Sequence, residues 1–145
     1  MHTVVIPVGQ DLYAIPIDWV NEVLAAPKVT ELATAPAAVL GIVNLRGDIV
    51  ALLDTAALLG VGRIGVAAFA VVLRTVHGLA AIAATGFPQR AELNIATGPS
   101  ELPGTAGSYR WGSQVTVLLD PAVLLTPERI GGTDSHGPLS AVGPG

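Results

Sequence analysis

The sequence predicts an all-β fold with short helices, arranged as small β-barrels or a sandwich, and three observations carry this. Apolar runs of strand length recur along the chain, bounded by Gly, Pro, Asn or Asp, and few segments could hold a long helix. Apolar residues make up 51% of the chain and charged residues only 12%, against roughly 25% charged in an average domain. Such a composition belongs to a chain with much buried or partner-covered surface. The third observation is a recurrence. Leu52-Leu53-Asp54-Thr55-Ala56-Ala57-Leu58-Leu59 returns as Leu118-Leu119-Asp120-Pro121-Ala122-Val123-Leu124-Leu125. Each copy reads as a β run, a capping Asp and one amphipathic helical turn, which suggests two similar lobes. Strand–Asp–helix is also a common local solution in an Ala- and Leu-rich chain, so the recurrence alone leaves duplication open.

Taken in order, Thr3 to Val8 and Leu12 to Ile17 flank Gly9-Gln10-Asp11 and read as a hairpin. Pro7 and Pro16 lack the ladder donor, which places these strands at edges or leaves those positions unpaired. Asp18 to Leu24 fits either a short helical turn capped by Asp18 or an extended run with Val20, Glu22 and Leu24 on one face. Residues 27–36 read as a connection. Val39 to Val43 and Ile49 to Leu53 are strands punctuated by Gly47-Asp48. Asp54 has N-cap chemistry for a helix over Thr55 to Leu59, which Gly60 ends. Gly60 to Gly65 is a loop. Ala67 to Val76 and Leu79 to Ala84 are strands joined at His77-Gly78. Residues 86–108, rich in Pro, Gly, Ser and Thr, read as a long, loosely structured connection. Val115 to Leu119 is the last strand, and Asp120-Pro121 opens a second short helix. The sequence divides into a single domain over 1–130 and a disordered tail over 131–145.

Several function classes fall away on composition. The net charge is −4 and Lys28 is the only lysine, so there is no basic stripe to neutralise phosphates. With no cysteine, disulfide scaffolds, thiolate metal sites and cysteine nucleophiles are excluded. The start of the chain lacks the charged and apolar regions of a signal peptide. The longest apolar run, Val66 to Leu73, is far short of the roughly 20 residues that span a bilayer. The chain reads as a soluble protein.

Motifs with catalytic associations fail on context. Gly60-Val61-Gly62-Arg63-Ile64-Gly65 fits G-x-G-x-x-G, but a short helix precedes it and a β run follows, so the strand-to-helix turn of a dinucleotide site is missing. Asp54-Thr55-Ala56 has a weak likeness to the active-site turn of aspartic proteases, which need two carboxylates sharing a proton. Its counterpart, Asp120-Pro121-Ala122, has no hydroxyl, and helix capping accounts better for both aspartates. His2, His77 and His136 lack metal-ligand spacing. No catalytic residue, metal or cofactor is expected. Asn44-Leu45-Arg46-Gly47 is different. An arginine between two apolar runs must reach water, a carboxylate or a partner. It is either paired internally, for example with Glu22, or presented to a partner in a shallow groove.

Gly41-Ile42-Val43-Asn44-Leu45-Arg46-Gly47, followed by an apolar strand and Asp54, resembles the signature of the CheW-like family. Leu12-Tyr13-Ala14-Ile15 and Ile17 to Val23 are similar to the family's upstream pattern, and the likeness covers about residues 3–126. The resemblance implies two five-stranded SH3-like β-barrels around a hydrophobic interface, the first mainly over 10–62 and the second mainly over 63–126. It further implies a non-enzymatic cytoplasmic adaptor, associated with membrane receptor arrays, that couples the cytoplasmic tips of chemoreceptors to the regulatory domain of a CheA-type histidine kinase. The coupling positions it implies are Val20, Glu22, Gly41 and Arg46, and the candidate partner-binding set adds Asn44, Leu45 and Gly47 of the same motif. Alternatives are a stand-alone regulatory module that binds a kinase without a receptor, and a dimeric aspartyl hydrolase at Asp54. Two departures lie in the second half: Gly78 to Thr85 carries alanines where the family has bulkier and acidic residues, and Ser108-Tyr109-Arg110-Trp111 replaces a glycine-rich approach. Trp111 is read as core volume rather than as an exposed anchor for a partner.

Overall fold

A computed structural model describes residues 1–131. These form β1 (His2–Val8), β2 (Asp11–Pro16), a 3₁₀ turn (Ile17–Trp19), β3 (Val20–Ala25), β4 (Val39–Leu45), β5 (Asp48–Leu53), α1 (Thr55–Leu59), β6 (Phe69–Thr75), β7 (Gly78–Ala84), β8 (Gln89–Glu92), β9 (Ala96–Gly98), β10 (Thr105–Trp111), β11 (Gln114–Leu119), α2 (Pro121–Leu124) and α3 (Pro127–Gly131). Gly131 ends α3; the rest of the tail expected over 131–145 lies outside the described residues.

Two mixed sheets result, one ordered β8-β1-β2-β11-β10-β9 and the other β3-β6-β7-β5-β4. They form two SH3-like lobes of one topology. In each, a strand pair ending in a short helix (β4–β5–α1, β10–β11–α2) lies beside a hairpin (β6–β7, β1–β2) through a parallel pairing, β5 with β7 and β11 with β2. The hairpin's outer neighbour is β3 in one lobe and β8 in the other. The sequence recurrence is the trace of this shared topology.

Sheet membership departs from the expected lobe boundary between 62 and 63. The β6–β7 hairpin pairs with β3 and β5, so the five-stranded lobe runs from 20 to 84, and both ends of the described chain build the other. Those pairings join strands far apart in the chain, which local pattern does not reveal. The expectation of two five-stranded barrels is also revised. Among the described residues one lobe has a sixth strand, β9, and neither sheet closes by a ladder between its edges. In the five-stranded lobe the two edges, β3 and β4, are linked instead by the chain that follows β3, where Thr30 exchanges two 2.9 Å hydrogen bonds with Ile42.

Burial follows the two-residue period of the strands. On β1, Val4, Ile6 and Val8 face the core between the lobes, while Val5 faces the core within its own lobe. On β6, Val71 and Leu73 face the inter-lobe core, and Ala70 and Val72 face inward. The inter-lobe cluster also takes Tyr13, Ile15, Leu53, Ile82, Leu119 and residues of α1 and α2. Each fully buried side chain of this size contributes roughly 1.5–3 kcal/mol, so the contact between the lobes is a true core. Ala81 and Ala83 are fully buried in one cluster with Val43, Leu45, Val50, Leu52 and Val72. Trp111 is half-buried beside Tyr109 against the core of the six-stranded lobe.

Other expectations need correction. β1 and β2 are interior strands, and their prolines lie where pairing on the far side has stopped: β8 reaches only as far as Val5, and β11 pairs with Tyr13 and Ala14. The stretch 86–108 contains β8, β9 and the start of β10, with Leu93 buried and its N–H donating to Met1 O at 2.8 Å. These pieces are too short to show periodicity and take their order from neighbours. α1 matches its prediction: Asp54 Oδ1 accepts from Ala57 N–H at 3.0 Å, and Gly60, at φ 73°, closes the helix in the left-handed conformation. Asp120 does not act as expected, because its side chain makes no cap hydrogen bond and Pro121 fills the first helical position.

Candidate partner-binding site

The site is built on the turn between β4 and β5. Leu45 pairs with Asp48, which leaves Arg46 and Gly47 as a two-residue connection, at φ 52° and 94°. Positive φ at both central positions is the type I′ geometry that matches strand twist. Glycine adopts it freely; an arginine there is uncommon. Asn44 Oδ1 accepts from Gly47 N–H at 2.8 Å and fixes the turn. Leu45, 6% exposed, anchors it in the core of the five-stranded lobe. The sequence thus dedicates Asn44, Leu45 and Gly47 to holding Arg46 outward.

Arg46 forms a fork-like ion pair with Glu22 on β3. Nη1 donates to Oε2 at 3.3 Å and Nη2 to Oε1. The guanidinium side chain stays 69% exposed while Glu22 is 26% exposed. Arg46 is therefore paired internally with Glu22, and it still offers most of its surface to solvent. An exposed pair contributes about 1 kcal/mol or less to stability, so the bridge does little to hold the fold. It links the two edge strands of the lobe and fixes where the guanidinium sits.

Val20 and Glu22 do not share a face, contrary to the expectation for an extended 18–24. Val20 pairs with Leu73 and Glu22 with Val72, a one-residue slip in β3. Val20, half-buried, packs on the inter-lobe core, whereas Leu24 packs inside the five-stranded lobe on the side that Glu22 shares. Gly41 is buried. A Cβ there would lie 2.3 Å from Thr30 O and 2.8 Å from Val29 Cγ1, so the glycine admits the crossing chain. The structure brings Glu22, Asn44, Leu45, Arg46 and Gly47 together, with Val20 on the opposite face and Gly41 beneath Thr30. Sequence reasoning missed Asn21 and Arg74, hydrogen-bonded to each other beside Glu22. It also missed Ile49, which is 63% exposed and pairs with Asn44. An apolar residue in a β run carries no sign of facing solvent.

The other motifs are structural. Asp54 is fully buried, and besides capping α1 its carboxylate accepts from Ile64 N–H at 3.2 and 3.3 Å. A carboxylate enclosed in this way is spent on the backbone and cannot meet a peptide substrate, so the hydrolase reading of Asp54 is set aside. The same bonds tie down the Gly60–Gly65 loop, where Arg63 donates to Ala37 O at 3.4 Å. No helix among the described residues is long and apolar enough to cross a membrane.

The CheW-like domain family matches residues 2–129. Among solved structures, the scaffolding protein TtCheW from Thermoanaerobacter tengcongensis superposes with a TM-score of 0.74 at 17% identity, over 90% of this chain and 95% of that one. No curated protein matches the sequence. With nearly all its described length matched by one family and its two lobes shared with a solved member of that fold, the chain belongs to the CheW-like domain family.

Proposed function

We propose that this protein is a non-enzymatic scaffold that couples chemoreceptors to a CheA-type histidine kinase in two-component signalling, working in the cytoplasm at receptor arrays. The observation that carries this is Arg46. A charged side chain in a left-handed turn position, fixed by Asn44, Gly47 and Glu22 and still largely exposed, has little use in folding and suits a partner's acidic or carbonyl groups. Glu22 and Arg46 then form the polar part of the contact. Val20 supports β3 from the inter-lobe core, and Gly41 supports β4 through backbone packing.

A pull-down with a receptor cytoplasmic tip and a CheA-type regulatory domain tests this. The wild type is expected to retain both, and Arg46→Glu to lose at least one by roughly tenfold or more, the scale of a hot-spot residue. Retention of the kinase domain alone would identify a stand-alone regulatory module. Retention of neither would overturn the adaptor reading.

A further inference from the structure

We propose that Asn21 and Arg74 are positioning residues of the coupling site, an inference that rests on the adaptor reading. In an unbroken strand Val20 and Glu22, two residues apart, would point to the same face. They do not, because β3 carries one residue more than β6 between the pairs Val20–Leu73 and Glu22–Val72. Such a bulge re-aims the side chains beyond it. Val20 keeps its place on the inter-lobe core, while Glu22 turns to the side where the β4–β5 turn delivers Arg46. Without the extra residue, Glu22 would follow Val20 and Arg46 would lose its partner.

The extra residue is held from β6. Asn21 Oδ1 accepts a hydrogen bond from Nη2 of Arg74, the residue that follows Leu73 at the slip. Arg74 is exposed, so its value lies in what it fixes rather than in what it buries. The chain of causes runs from Arg74 to Asn21, to the bulge, to the direction of Glu22, and so to the guanidinium of Arg46. Neither Asn21 nor Arg74 need touch the partner.

The test compares Asn21→Ala and Arg74→Ala with Asn21→Asp, which keeps an acceptor for the guanidinium. Affinity for a CheA-type regulatory domain and a receptor tip is measured alongside thermal midpoints and NMR contacts between the Glu22 and Arg46 side chains. Both alanine variants are expected to bind roughly tenfold more weakly, to melt near the wild-type temperature and to lose the Glu22–Arg46 contacts. Asn21→Asp is expected to restore binding and contacts together. Alanine variants that keep the contacts and wild-type affinity overturn the proposal, as do losses of affinity that only track losses of stability. If the wild type binds neither partner, the adaptor reading fails, and the NMR contacts still decide the positioning role: contacts kept in both alanine variants overturn it.

Discussion

Thr116 offers a test of the packing within a single lobe. It is fully buried in β11, and its hydroxyl has no hydrogen-bond partner among the described residues. The repeated unit sets Val50 of β5 at the equivalent place, also buried, in the core of the other lobe. One lobe thus carries at this position an apolar residue of nearly the same shape as the polar one in its counterpart. Leaving a buried hydroxyl without a partner costs about 1–3 kcal/mol. Thr116→Val replaces the hydroxyl with a methyl group and is expected to stabilise the protein by about 1–2 kcal/mol. For a domain of this size that raises the thermal midpoint by about 3–8 °C. Urea denaturation should show a higher midpoint with an unchanged slope, because the surface exposed on unfolding is the same. The reciprocal Val50→Thr should lower stability by a similar amount. If Thr116→Val is neutral or destabilising, or Val50→Thr costs nothing, the hydroxyl is satisfied in solution and the equivalence of the two cores is wrong.

Other substitutions probe the links between elements. Asp54→Ala removes the acceptor for the Ala57 and Ile64 amides. It should cost about 2–3 kcal/mol and speed hydrogen exchange at both; unchanged exchange would mean the carboxylate does not hold the loop. Gly41→Ala drives a Cβ into Thr30 O and Val29, with an expected loss of about 2–4 kcal/mol in chemical denaturation. Arg46→Ala should change stability by about 1 kcal/mol or less while weakening partner binding, so a large drop in melting temperature would refute a binding role for the pair. Burial, aided by the Asp11 carboxylate, raises the Tyr13 phenol above its ordinary value of 10.0. The neutral phenol is therefore the form the fold favours. Its contribution is complete below pH 10 and is lost as pH climbs through the raised value. An ultraviolet titration should show one late-titrating tyrosine, absent in Tyr13→Phe.

Much of the fold was legible because its signals are local. The apolar runs of β1, β2, β4, β5, β6, β7 and β11 stand out by strand-length hydrophobicity, and Asp54 and Gly60 mark the two ends of α1 within a few residues. The four residues of β8 and three of β9 were not legible, since so short a segment carries no period. In the candidate site, Asn44 to Gly47 was readable because an arginine and a glycine between apolar runs demand an explanation. The pairing of Arg46 with Glu22 was open to suggestion only, as the two are 24 positions apart.

By itself, then, the sequence determined the elements that depend on neighbouring residues: strand runs, the Asp54 and Gly60 caps of α1, a break between β4 and β5 near Gly47, and the repeated strand–Asp–helix unit. Only the tertiary structure decided which strands share a lobe, because parallel pairings such as β5 with β7 and β11 with β2 join segments that no local pattern connects. It also decided the direction of Glu22. One extra residue in β3 reverses a face that alternation would assign the other way, and its place is set by a partner strand about 50 residues on.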